Sequence, residues 1–107
     1  MVKYIVMKNK NIVWKSKQNI SLAKVLSKIT DEKIMQNFLR DVMTEKEIIE
    51  IATRLQAAKM LNEKINYDRV ILKTNLSSRT VARISNWLKN GCGGYKEAIK
   101  ILNNHKV

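Results

Sequence analysis

Between Ser77 and Asn86 the chain sets out hydroxyls, guanidinium groups and a carboxamide with no carboxylate among them. At helical spacing Ser78, Arg79, Ala82, Arg83 and Asn86 share one face, while Val81, Ile84 and Leu88 recur at three and four residues on the other. A small, polar, cationic face of this kind suits a DNA groove. Arginine forks to O6 and N7 of guanine, asparagine pairs with N6 and N7 of adenine, and alanine permits close approach to a thymine methyl. Ser77 and Ser78 open the same helix, where free backbone N–H groups add to hydroxyl contacts with phosphate. Ser77, Ser78, Arg79, Thr80, Arg83 and Asn86 are therefore the expected DNA-binding residues. The alternative is the solvated face of an ordinary helical hairpin, and the face by itself does not separate the two.

Other elements must hold this face at a steep angle. Asn66 is the expected N-cap of a short helix over Tyr67–Lys73, with Val70 and Ile71 on its inner side, and Ser77 caps a second helix running to about Lys89. Asn75 falls where the chain must turn, and asparagine tolerates a left-handed backbone; Leu76 buries the turn. Gly91-Cys92-Gly93-Gly94 then breaks the chain before a final helix marked by Tyr95, Ala98, Ile99 and Leu102. Upstream, Thr44 and Glu47 form a capping box and Met43 a staple onto Ile48, so a helix starts at Glu45. Its stripe runs through Ile48, Ile51, Ala52, Leu55, Ala58 and Leu61, and Ile49 and Met60 add apolar area outside it. More than one neighbour is expected to cover that helix, a second subunit included.

Two earlier amphipathic helices fit Leu22, Val25, Leu26 and Ile29, then Ile34, Phe38, Leu39 and Val42. Tyr4–Met7 and Ile12–Trp14 are short β-prone runs that predict either a small hairpin or a basic arm. The expected fold is all-α: an arm or hairpin over residues 1–19 and a helix-turn-helix domain over residues 20–107. The absence of proline and the presence of only three glycines agree with long helices.

The formal net charge of +12 draws polyanions. Residues 1–30 carry seven Lys and no acid, residues 31–66 six basic and seven acidic groups, and residues 67–107 eight basic and two acidic groups. Both ends are positive around a neutral middle. A single Cys92 and a single His105 leave no intramolecular disulfide and no Cys–His metal site to expect, and His105 reads as a surface residue. Three scattered Asp, no Gly-rich phosphate loop and no paired nucleophile and base argue against an enzyme, and no cofactor is expected. The N-terminal apolar run is far shorter than a secretory or membrane segment, which predicts a cytoplasmic protein with no membrane partner. An RNA-binding or ribosome-associated role would use the charge equally well, but Tyr67, Trp87 and Tyr95 fall at helix starts or apolar positions and offer little stacking platform. A protein-interaction module built from the amphipathic helices alone is a third class.

Residues 38–95 resemble the tryptophan repressor superfamily, especially its small YerC/YecD branch, through Phe38, Asp41, Thr44, Glu47, Ala52, Arg54-Leu55, Ala58-Lys59, Leu61, Tyr67, Thr74, Ser77, Thr80, Arg83, Leu88, Gly91 and Gly94-Tyr95. The resemblance implies an intertwined helical homodimer whose two reader helices enter successive major grooves of double-stranded DNA, as a transcriptional regulator and, by family, a repressor. It also implies an effector pocket, in which an amino acid lies between two arginines beside a threonine-bearing helix start of the partner subunit. Thr44, Arg54 and Arg83 match the retained parts by position, and Ile84 stands where the family has a glycine. A β-branched side chain there fills the space of a flat ring. DNA binding that does not depend on tryptophan, with no small-molecule effector, is the expectation; Arg54 reads equally as a surface or ion-pairing residue. Asn75-Leu76 replaces the family's Gly-Ala at the turn, and residues 1–20 have no counterpart in the resemblance.

Overall fold

The computed structural model describes residues 12–104. A 3-10 turn, Ile12–Lys15, leads into six α-helices: α1 (Lys17–Lys28), α2 (Glu32–Val42), α3 (Glu45–Asn62), α4 (Tyr67–Thr74), α5 (Ser78–Asn90) and α6 (Gly94–Asn104). No strand occurs among the described residues. The β-prone reading of Ile12–Trp14 is corrected by the turn: the Val13 carbonyl accepts from Asn19 Nδ2 at 2.8 Å, and Ser16 caps α1, so the local hydrogen bonds run into the helix. Tyr4–Met7 and His105 lie outside the described residues. None of the six helices is long and apolar enough to cross a membrane.

Short-range hydrogen bonds set the helix starts. Asp31 Oδ1 accepts from the backbone N–H groups of Lys33 and Ile34 at 2.8 and 3.0 Å, and so begins α2. Thr44 Oγ1 accepts from the Glu47 N–H at 3.1 Å while Glu47 Oε1 accepts from the Thr44 N–H at 2.8 Å, the reciprocal capping box of α3. Asn66 Oδ1 accepts from the Arg69 N–H at 2.9 Å and begins α4. At the far end of α3 the Ile65 N–H donates to the Met60 carbonyl and the Lys64 N–H to the Leu61 carbonyl, with Lys64 left-handed at φ 69°. This is a Schellman stop with a lysine at the position glycine usually takes.

The chain divides into two compact units, Met1–Ile48 and Ile49–Val107, with the division inside α3. In the first, no residue of α1 or α2 is buried; Leu22, Val25, Ile34 and Val42 are all exposed. The second carries the core: Ala57 and Ala58 from α3, Val70 from α4, Val81, Ile84 and Leu88 from α5, and Ile99 from α6. Leu61, Ile65, Ile71, Leu76 and Tyr95 pack around it. Gly91 ends α5 where an added Cβ would collide with the Trp87 carbonyl oxygen, so the next helix can depart only from a glycine.

Candidate nucleic-acid interface

The turn between α4 and α5 is tied at each of its residues. Thr74 Oγ1 donates to the Val70 carbonyl at 2.7 Å and accepts from the Leu76 N–H at 3.3 Å. Asn75 between them is left-handed at φ 60°, ψ 20°, and its N–H donates to the Ile71 carbonyl. A short amide side chain is one of the few that tolerates that backbone. Ser77 then accepts from the Thr80 N–H at 3.1 Å and donates to Thr80 Oγ1 at 3.0 Å. The Ser77 hydroxyl is thereby committed to the cap, whereas the Thr80 hydroxyl proton remains available to an acceptor outside the protein.

Four residues of α5, Val81, Ile84, Ser85 and Leu88, are buried. Facing the other way, Ser78, Arg79, Ala82 and Arg83 are exposed. Neither arginine makes a side-chain hydrogen bond or ion pair among the described residues. Unpaired guanidinium groups on an acid-free face can fork to guanine or to phosphate. Asn86 is half-buried and its Oδ1 accepts from Asn90 Nδ2 at 3.0 Å. Pairing with adenine would use the second lone pair of that oxygen together with the Asn86 Nδ2 donors, beside the bond from Asn90. Asn86 also lies about two turns further along α5 than Ser78, away from the end that reaches deepest in helix-turn-helix proteins.

The residues expected around an effector are placed as follows. Thr44 belongs to the first unit and is occupied as the α3 cap. Arg54 Nη2 donates to Glu50 Oε1 in a 2.8 Å ion pair one turn back along α3, while its Nε is buried without a hydrogen-bond partner. Arg83 is exposed on α5, and Ile84 is fully buried in the core cluster. Sequence patterning did not foresee that the Arg54 charge acts on Tyr95. Burial pushes the Tyr95 phenol above its ordinary 10.0, and the Arg54 charge opposes this with the smaller effect. No local spacing links the two residues, which lie on α3 and α6.

The sequence model of the Trp repressor protein family matches residues 17–103 of this chain. The uncharacterized protein YerC of Bacillus subtilis (strain 168) is 34% identical over 62 residues, which are 58% of this chain and 60% of that relative. A solved structure, a TrpR-like protein from Eubacterium eligens ATCC 27750, matches with a TM-score of 0.78 at 28% identity, over 92% of this chain and 99% of the other.

Proposed function

The chain belongs to the Trp repressor protein family, and from that premise we propose that it is a sequence-specific regulator of transcription, a repressor, that binds double-stranded DNA in the cytoplasm as a homodimer. The observation that carries this reading is the exposed, acid-free end of α5, where Ser78, Arg79, Ala82 and Arg83 stand clear of a buried opposite face. Base-edge recognition falls to Arg79 and Arg83, and phosphate contact to Ser78 and Thr80 at the helix start. Ser77 acts through the cap, and Asn86 is a secondary contact. The homodimer is supported by the apolar side chains exposed on α1, α2 and the start of α3, among them Leu22, Ile34, Ile49 and Ile51. Binding proceeds without tryptophan, because Ile84 occupies core volume and Arg54 is held by Glu50.

Selection of bound duplexes from a random pool tests the proposal, followed by competition with single-stranded RNA. The expected result is an enriched palindrome whose half-sites lie about one helical turn, roughly 34 Å, apart. Equal affinity for RNA and no enriched duplex would overturn it in favour of a general polyanion binder.

A further inference from the structure

Within the second unit, the end of α3, the start of α4, the later half of α5 and the start of α6 enclose an open cleft of about 460 Å³. Its apolar wall is Leu61, Ile65 and Leu88. Ser85 enters the same lining although it is only 7% exposed, and its hydroxyl makes no hydrogen bond among the described residues. A helical hydroxyl can instead turn back onto a carbonyl of the preceding turn. Thr53 and Thr74 do this here, onto Ile49 and Val70. Ser85 instead keeps a donor and an acceptor open to the cleft, since its hydroxyl is not among the buried unpartnered atoms.

Three lysines, Lys64, Lys89 and Lys96, contribute to the lining from three different segments, and no acidic residue is part of it. None of the three is ion-paired among the described residues, whereas Lys59 and Lys100 are held by Glu63 and Glu97. Lys64 is placed there by a left-handed backbone that a glycine would adopt with less strain. A volume of this size, apolar on one wall and with few converging polar groups, is the usual form of a small-molecule site.

We propose that this cleft binds a small organic anion with an apolar body, its acid group held by Lys64, Lys89 and Lys96 and a second polar atom by Ser85. The cleft shares no lining residue with Thr44, Arg54, Arg83 and Ile84, and none with Ser78, Arg79 or Ala82, so it stands apart from both the family's effector position and the DNA-reading face. The binding claim does not depend on the DNA reading.

Backbone amide resonances of the full chain, followed during titration with 2-naphthoate and separately with 2-naphthamide, test it without DNA. Saturable shifts confined to residues 61–67, 85–89 and 96 are expected with the acid, and about tenfold weaker binding with the uncharged amide, because charge-assisted hydrogen bonds are the stronger ones. The exposed double substitution Lys89→Gln, Lys96→Gln should weaken naphthoate binding about tenfold while leaving the melting temperature unchanged. Equal binding of acid and amide, shifts centred elsewhere, or no saturable shift at millimolar naphthoate would overturn the proposal. So would a double variant that loses DNA affinity but binds naphthoate as before, which would make these lysines phosphate contacts.

Discussion

Arg79 and Arg83 each present an unpaired guanidinium to solvent, so on the proposed function removing either is expected to cost the fold little and DNA binding much. Arg79→Ala and Arg83→Ala are each expected to weaken specific binding by about 1–3 kcal/mol, read by fluorescence anisotropy, with unchanged thermal melting. Asn86→Ala should cost less, since Asn86 Oδ1 already accepts from Asn90. Ile84 is the opposite case: it is fully buried, and Ile84→Ala is expected to destabilise the protein by about 2–5 kcal/mol in denaturant titration. The same burial predicts that millimolar L-tryptophan leaves the DNA affinity of the wild-type chain unchanged; a tryptophan-dependent rise together with saturable heat in calorimetry would show that a slot exists beside Ile84 after all. Tyr95 gives a pH prediction. Its folded pKa lies above the unfolded 10.0, so folding favours the neutral phenol. That stabilisation is complete below about pH 10, the unfolded value, and is lost as pH rises through the folded one. Across that window the denaturant midpoint of the wild type should therefore fall relative to that of Tyr95→Phe, which has no phenol to ionise.

Among the described residues the two left-handed non-glycines, Lys64 and Asn75, end α3 and α4 respectively, and they differ in what glycine would do. For lysine, relief of about 1–2 kcal/mol of left-handed strain exceeds the roughly 0.5–1 kcal/mol entropic cost of a glycine, so Lys64→Gly is expected to raise stability by up to about 1 kcal/mol. Asn75 tolerates the conformation already, and Asn75→Gly should be close to neutral. Chemical denaturation of both variants checks the contrast; a destabilised Lys64→Gly would mean that the lysine stem packs on Leu61 or Ile65 strongly enough to outweigh its backbone. The starts of α1 to α5 are of one kind, a side-chain cap. Asp31, Thr44, Asn66 and Ser77 all bond within three residues, which is why the last three were legible in the sequence as caps.

For the molecule as a whole, α1 and α2 bury no residue, and α3 leaves Ile49 and Ile51 exposed while Ala57 and Ala58 are covered. Large apolar side chains left in water at this density are expected to find each other in a second copy, at about 25 cal/mol for each Å² removed from water. Light scattering at micromolar concentration should give twice the 12.4 kDa chain mass. Ile51→Glu should shift the equilibrium toward the monomer, and a wild-type monomer would count against the dimer. The net charge of +12 adds a second expectation at this scale: the logarithm of DNA affinity should fall linearly with the logarithm of salt, and each Lys or Arg substitution that frees one phosphate should reduce that slope by about 0.9.

The sequence by itself determined the helical class, the boundaries of α3, the two caps of the reader and the division of α5 into a buried and an exposed face, because each follows from residues within a turn or two of one another. It read Ile12–Trp14 as β-prone, since propensity does not register the Asn19 side chain that closes the turn onto α1. Tertiary structure alone decided which part of the doubly apolar α3 is covered, that the Arg54 charge acts on Tyr95, and that Ser85 lines a cleft with lysines from three segments. Each of these depends on where a distant helix lies against the one in question, and periodicity along one helix carries no information about that.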